Sequence, residues 1–133
     1  MSGEAPTPPP WKFIGYRTAT GAKLVQEWYW SQDEDVRDGL KDRLAYLEQV
    51  PNHLWRRPRF DTLDDGICEI RWDANGSTYR VYGCFGIERN EFTFLVGTDK
   101  KVNNQRHAKK VAIDRKKEID AAIKVKRTDR SFV

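Results

Sequence analysis

The sequence predicts a single α+β domain, in which a helical hairpin and a basic C-terminal helix accompany a largely antiparallel sheet. Asn75-Gly76 lies between two runs of alternating apolar residues, and this dipeptide is the strongest short-range signal for a β-hairpin. Apolar residues at helical spacing precede the hairpin, and a second set with the same period follows it. The predicted order is therefore strand, two helices, three strands and helix, with the helices on one side of the sheet.

Length and composition are those of one globular domain. The 133 residues are 33% charged and 38% hydrophobic, and no run of 18 apolar residues is present to span a membrane. The N-terminus lacks the basic start and apolar stretch of a secretory signal, so we expect a cytoplasmic protein. Residues 1–10 are predicted to be a disordered proline-rich tail, residues 11–127 the domain and residues 128–133 a C-terminal tail.

The cysteines and histidines argue against a disulfide or a metal site. In the predicted hairpin Cys68 and Cys84 point to opposite faces of the sheet and should not bond, which suits a reducing cytosol. Neither cysteine has the spacing of a metal ligand, and His53 and His107 are the only histidines. We therefore expect no metal and no cofactor.

One strand and two helices are predicted before the hairpin. Residues 11–16 alternate aromatic and polar side chains and should form the first strand. A helical stretch begins at Gly21, and a capping box from Ser31 to Glu34 predicts the start of a second helix. Pro51 ends that helix. The residues expected to pack on the sheet from the second helix are Val36, Leu40, Leu44 and Leu47.

A third strand and a basic helix are predicted after the hairpin. Residues 92–97 alternate and complete a meander, and Asn103 or Asn104 could cap the last helix. From Lys100 to Arg130 there are twelve basic and four acidic residues, although the net charge of the whole chain is only +4. This asymmetry favours a polyanion such as nucleic acid or the ribosome. A solvated helix face or an acidic partner protein would explain it as well.

The predicted hairpin sets two arginines against each other. If Asn75 and Gly76 are the turn residues, Arg71 pairs directly with Arg80. Like charges directly opposite each other destabilise a sheet, so the arrangement is plausibly shaped for an anion. The alternative is that the long side chains merely cover an exposed face. Glu69 and Tyr82 should lie on the same face as the arginines.

These motifs resemble, in their order and spacing, the RelE/ParE superfamily of type II toxins, and most closely its HigB-like, phage-derived branch. That branch has a Gly-apolar-x-Glu-apolar-Arg strand and a Tyr-Arg-Val strand, matched here by residues 66–71 and 79–81. It continues with an apolar strand that ends near paired lysines, matched by residues 94–97 and 100–101. The branch usually places an aromatic residue before the lysines, where this chain has Thr98-Asp99.

The resemblance implies ribosome-dependent cleavage of messenger RNA. The ribose 2′-OH would attack the adjacent phosphate without a metal, and leave a 2′,3′-cyclic phosphate and a 5′-OH. The implied partners are the ribosome, the messenger RNA and a helix-turn-helix antitoxin, and no membrane is involved. The implied contacts to RNA or ribosome come from Arg56, Arg57, Arg106, Lys109 and Lys110.

Arginine suits the stabilisation of charge at phosphorus, because its planar fork binds phosphate oxygens in a bidentate manner and stays charged. Arg80 is the first candidate for that role and Arg71 the second. Tyr82 could stack a base or orient the 2′-OH. Glu69 could act as the general base, or it could hold the two arginines in position, and Arg71 could equally form a salt bridge to Glu69 or to the carboxylates of the preceding loop.

The remaining candidates lie between the last strand and the last helix. Lys100 and Lys101 could anchor a phosphate, or one of them could act as a base if neighbouring charge or burial lowers its pKa. His107 could serve as acid or base, although a histidine near a helix start could also be merely solvated.

Two other functions remain open. A non-enzymatic inhibitor of DNA gyrase, like the ParE side of the superfamily, would need the fold but not the arginines. A degenerate phage-derived binding protein would retain only the basic surface.

Overall fold

The computed structural model describes residues 11–86, 90–98, 102–121 and 127–128. Two short 3₁₀ helices, Asn52–Leu54 and Asp64–Gly66, lie in the connection between the second helix and the third strand. The strands and helices are, in chain order, β1 (Lys12–Tyr16), α1 (Leu24–Ser31), α2 (Glu34–Glu48), β2 (Phe60–Thr62), β3 (Cys68–Ala74), β4 (Ser77–Phe85), β5 (Glu91–Thr98), α3 (Val102–Ala121) and β6 (Arg127–Thr128).

The described strands form one six-stranded sheet in the order β2-β3-β4-β5-β1-β6. Strand β1 is parallel to β5, and every other pair is antiparallel. This architecture confirms the predicted α+β class and the meander of β3, β4 and β5. Strands β2 and β6 were not predicted, because three and two residues are too few to show an alternating pattern. Strand β6 crosses the boundary that the sequence suggested at residue 127.

The hairpin of β3 and β4 has the predicted register. Asn75 and Gly76 have φ angles of 54° and 73°, as a type I′ turn requires at both central positions. Arg71 therefore pairs with Arg80, and the pairing continues through Ala74 and Ser77.

Helices cover both faces of the sheet, so the prediction that they lie on one side is wrong. The indole nitrogen of Trp72 donates to the carbonyl oxygen of Val36 in α2 at 2.9 Å. The hydroxyl of Tyr82 donates to Oε1 of Gln105 in α3 at 2.6 Å. Trp72 pairs with Tyr79, and Tyr82 lies three residues after Tyr79 on β4. The side chains of Trp72 and Tyr82 therefore point to opposite faces of the sheet. We call the side that the helical hairpin of α1 and α2 covers the hairpin face (Ile70, Trp72, Tyr79, Val81). The side that α3 covers is the α3 face (Glu69, Arg71, Arg80, Tyr82).

Helices α1 and α2 pack closely on the hairpin face. A Cβ atom at Gly97 would lie 2.2 Å from the ring of Trp28 in α1. A Cβ atom at Gly39 of α2 would lie 2.5 Å from the ring of Trp72 in β3. Only glycine permits these two approaches. The predicted apolar face of α2 is confirmed as buried by Val36, Leu40, Leu44 and Leu47.

The starts of α1 and α2 differ from their predictions. Helix α1 begins at Leu24 rather than at Gly21. The N-cap of α2 is Asp33, whose carboxylate accepts a hydrogen bond from the amide of Val36 at 3.1 Å. Ser31 is instead the last residue of α1. An aspartate is as good a cap as serine, and it lies one position before the helix.

The start of the last helix differs from its prediction, whereas the cysteines are as predicted. Helix α3 begins at Val102, so Asn103 and Asn104 lie inside its first turn rather than capping it. Cys68 and Cys84 are both buried and are not bonded to each other, in keeping with their opposite faces. Among the described residues no helix is long and apolar enough to cross a membrane.

Candidate functional site

The candidate site is a row of charged side chains on the α3 face, where β2, β3 and β4 run side by side. Arg71 and Arg80 are directly opposite each other, and Glu69 lies two residues before Arg71 on the same face. Oε1 of Glu69 lies 2.5 Å from Nε of Arg71 and 3.4 Å from Nε of Arg80. One carboxylate oxygen thus contacts both guanidinium groups and offsets the repulsion between them.

A second carboxylate extends the row onto the edge strand. Asp61 in β2 pairs with Glu69, and its Oδ2 lies 3.6 Å from Nη2 of Arg71. The same Oδ2 lies 3.0 Å from Nε of Arg57 in the preceding loop. We call Arg57, Asp61, Glu69, Arg71 and Arg80 the charged cluster. Its three cations exceed its two carboxylates by one positive charge, so the cluster attracts an anion.

Burial separates the carboxylate from the cations in the cluster. The side chain of Glu69 is 7% exposed, whereas those of Arg71 and Arg80 are 28% and 22% exposed. The Nε atom of Arg71 touches Glu69 without the alignment of a hydrogen bond, so that contact is an ion pair only. Glu69 is the only ion-pair partner of Arg80 among the described residues, and that contact is made through Nε of Arg80. The guanidinium group of Arg80 is partly exposed and can therefore donate to an arriving anion.

Tyr82 closes the buried end of the row. It is fully buried, and its hydroxyl donates to Gln105 of α3. Burial first, and then the negative charge of Glu69, raise the pKa of this hydroxyl above its ordinary value. No face of its ring is open to a nucleobase, so the stacking role suggested by the sequence does not fit this structure.

The other sequence candidates divide into three groups. Lys100 and Lys101 lie outside the described residues; the chain before them ends at Thr98, which pairs with Arg80, and α3 begins directly after Lys101. His107 is exposed on α3. The five predicted RNA or ribosome contacts are all exposed, two in the loop before β2 and three on α3, namely Arg56, Arg57, Arg106, Lys109 and Lys110.

A pocket of about 360 Å³ opens beside the charged cluster, between the loop that carries β2 and helix α3. Asp61 belongs both to the pocket and to the cluster. We call this cavity the side pocket. Its lining consists of Arg57, Asp61, Thr62, Leu63, Asp64, Asp65, Ile67, Lys109 and Ile113.

Two residues of the site were not singled out from the sequence. Asp61 was covered only by the alternative that Arg71 pairs with a carboxylate of the preceding loop, which its ion pair with Arg71 confirms. Strand β2 is too short to reveal that Asp61 also pairs with Glu69. Gln105 was missed because nothing local connects a polar residue in the first turns of α3 with a tyrosine 23 positions earlier. A general rule predicts only that a buried tyrosine hydroxyl has a hydrogen-bond partner, and not which residue that partner is.

The described architecture is consistent with a RelE-like fold. Residues 27–124 match the family model described as "Phage derived protein Gp49-like (DUF891)", which covers well over half of the chain. The protein therefore belongs to the Gp49-like phage-derived family. No curated protein matches the chain. Membership of this family is compatible with the toxin of a toxin–antitoxin system and with the RelE/ParE superfamily.

Proposed function

We propose that the protein is the toxin of a type II toxin–antitoxin system and an endoribonuclease that cuts messenger RNA on the ribosome. The observation that carries this proposal is the directly opposed pair of Arg71 and Arg80, joined through one buried carboxylate oxygen. An unpaired like-charge arrangement would destabilise the sheet. Here the inner side is neutralised by Glu69, and partly exposed guanidinium groups remain for a phosphate.

The proposed reaction is an internal transesterification. The 2′-oxygen of a ribose attacks the adjacent phosphorus, the bond from phosphorus to the 5′-oxygen breaks, and a 2′,3′-cyclic phosphate and a 5′-OH form. The proton of the 2′-OH goes to a base, and an acid supplies a proton to the 5′-oxygen. Arg80, assisted by Arg71, stabilises the negative charge that develops on the phosphate oxygens.

Glu69 acts in this proposal as a positioning residue rather than as the general base. Its side chain is 7% exposed, and both arginines contact the same oxygen, so the carboxylate has little access to substrate. The proton acceptor is then one of the nitrogen bases among the sequence candidates, Lys100, Lys101 and His107, acting in its unprotonated form. Separate substitution of these three residues identifies it.

In this proposal the basic side chains around the site bind the ribosome. Arg106, Lys109 and Lys110 are exposed on α3, and Arg56 and Arg57 are exposed on the loop before β2. Fixing an in-line geometry on the ribosome can contribute roughly 7–11 kcal/mol, so the free protein should be a poor nuclease. A helix-turn-helix antitoxin would neutralise this basic surface or block its access to the ribosome.

The test is cell-free translation of one defined message, followed by primer extension to map breaks. The wild type should produce breaks inside codons only when ribosomes are present and translating. Arg80→Ala should reduce cleavage about 100-fold, because removal of one donor to a developing oxyanion has that effect. Lys41→Ala is the matched control, since Lys41 is exposed on α2, on the other side of the sheet. This variant should cleave like the wild type.

Three outcomes would contradict the proposal. Intact message with unaffected translation would exclude the nuclease. Growth arrest that persists in Arg80→Ala, with intact message, would instead support inhibition of DNA gyrase. Expression without any growth arrest would leave only a binding protein with a basic surface.

A further inference from the structure

We propose that the side pocket binds a guanine base and so selects a guanosine next to the phosphate that is cut. This inference rests on the proposed nuclease function, because it assigns a base to the nucleotide whose phosphate meets the arginines. It draws on the position of the pocket, on its apolar walls and on the hydrogen-bonding character of its rim.

The side pocket lies next to the charged cluster. Asp61 lines the pocket, and its Oδ2 lies 3.6 Å from Nη2 of Arg71 in the charged cluster. Asp61 pairs with Glu69, so the pocket opens on the same face of the sheet as the arginines. Lys109 and Ile113 form its other wall from α3, which covers that face. A nucleotide whose phosphate contacts Arg71 therefore has its base within reach of the pocket.

The size and walls of the pocket suit a base. Its volume of about 360 Å³ falls in the range of roughly 300–1,000 Å³ that is usual for small-molecule sites. Leu63 and Ile113 line the cavity and are partly exposed, so they supply apolar surface to it. Apolar side chains pack against the flat faces of an unstacked base, while polar groups contact its edges.

The rim of the pocket favours one base over the others. Asp64 and Asp65 have no ion-pair partner among the described residues, and a carboxylate can only accept hydrogen bonds. Guanine alone presents two adjacent donors, N1–H and the 2-amino group, which one carboxylate can accept together. Adenine and cytosine present an amino group beside an acceptor nitrogen, and uracil presents one N–H between two carbonyl groups. Each of these would bring an acceptor against a carboxylate.

The acceptor edge of guanine can also be matched by side chains of the pocket. Guanine carries two acceptors, O6 and N7, and lysine or arginine is their usual partner. Lys109 and Arg57 provide such cations in the lining of the pocket. Carboxylates and cations in one cavity thus match the donor and acceptor edges of guanine.

The test is titration of the purified full chain with the 3′-monophosphates of the four nucleosides, followed by amide chemical shifts. Guanosine 3′-monophosphate should bind about tenfold more tightly than the other three, as expected for one bidentate recognition. The shifts should centre on residues 61–67, 109 and 113. The double variant Asp64→Asn/Asp65→Asn should lose this preference, because each amide presents a donor as well as an acceptor. Asparagine also tolerates the positive φ of 61° at position 65.

Asp120→Asn is the control, since Asp120 is exposed on α3 and pairs only with Lys116 among the described residues. Its binding should equal that of the wild type. Equal affinity for all four nucleotides, a guanosine preference that survives the double variant, or shifts centred elsewhere would overturn the proposal.

The binding measurement needs no cleavage, so the two proposals fail separately. If guanosine binds in the pocket and no message is cut, the pocket assignment stands and the nuclease function falls. If cleavage depends on Arg80 but shows no guanosine bias, the nuclease stands and the pocket assignment falls. With both correct, the guanosine bias of the wild-type breaks disappears in the double variant.

Discussion

The hairpin face and the α3 face of the same sheet are packed in opposite ways. On the hairpin face, large rings lie directly on glycines, as Trp28 does on Gly97 and Trp72 on Gly39. On the α3 face, α3 contributes small buried residues such as Ala108. There the sheet carries a row of charged side chains that are compensated by ion pairs rather than by apolar contact.

The difference teaches how a small domain can hold two like charges at a fixed spacing. Strand β3 is tied to α2 by the hydrogen bond from Trp72 to Val36 and by one from Nε of Arg43 to the carbonyl oxygen of Arg71, 2.8 Å long. Both hold β3 against α2 from the hairpin side, the first through the Trp72 side chain and the second through the backbone of Arg71. The tightly packed face therefore fixes the strands on which Arg71 and Arg80 are presented, while the other face remains polar enough to meet an anion.

The largest expected effect tests the packing of the hairpin face. Gly97→Ala would place a Cβ atom 2.2 Å from the ring of Trp28, which is wedged between α1 and β5. Overpacking of this kind should lower the free energy of unfolding by about 3 kcal/mol. Chemical denaturation of the wild type and the variant measures the difference.

A double variant shows whether the ring is the cause. Trp28→Ala removes the obstacle, so adding Gly97→Ala to it should cost little, although Trp28→Ala is itself destabilising. If Gly97→Ala is as stable as the wild type, the close approach of α1 to the sheet does not exist, and the contrast between the two faces fails.

The second effect tests the compensation of charge on the α3 face. Glu69→Gln would leave Arg71 opposite Arg80 without the carboxylate oxygen that contacts both. The free energy of unfolding should fall by about 2 kcal/mol, less than for a fully buried pair because the arginines are partly exposed. Sulfate should restore more stability to this variant than it adds to the wild type, because the anion can bind the uncompensated guanidinium groups.

Asp120→Asn is the control for general effects of sulfate and of lost charge, since it removes an exposed carboxylate from α3. It should change stability by less than about 0.5 kcal/mol. Equal responses to sulfate in Glu69→Gln and in the wild type would show that the arginines do not form an anion site.

The two faces also differ in how far the sequence predicted them. The register of β3 and β4 was predictable, because the turn at Asn75-Gly76 is local and determines every pair behind it. The contact of Arg71 with Glu69 followed as one of the open alternatives, since alternate residues of a strand share a face. These features depend on short sequence separations.

The placement of the helices was not predictable in the same way. Helical periodicity shows which side of a helix is buried, but not which face of the sheet covers it. Polar residues on β3 and β4 suggested an open face, whereas Glu69 and Tyr82 are both buried. Asp61 joined the site through a three-residue strand, which carries too little pattern to be recognised.

The smallest effect uses a thiol to test how well the hairpin face excludes water. Burial chiefly raises the pKa of Cys68 from 9.0 to about 11, against a smaller lowering by a hydrogen bond with Thr62. Below about pH 8 the thiol is protonated in both states, so it adds nothing to the pH dependence of stability. Between pH 9 and 11 the unfolded chain loses this proton first, so stability falls as the pH rises. The loss should reach about 1 kcal/mol at pH 10.

Comparison with Cys68→Ala isolates this contribution. The alanine variant keeps the tyrosines, which also titrate at alkaline pH, so their effects cancel in the difference between the two stability curves. That difference should be constant below about pH 8 and should shift by about 1 kcal/mol in favour of the variant by pH 10. A constant difference through pH 10 would mean that the Cys68 thiol ionises as readily in the folded protein as in the unfolded chain. Water would then reach this end of β3, and the hairpin face would not be the dry side of the sheet.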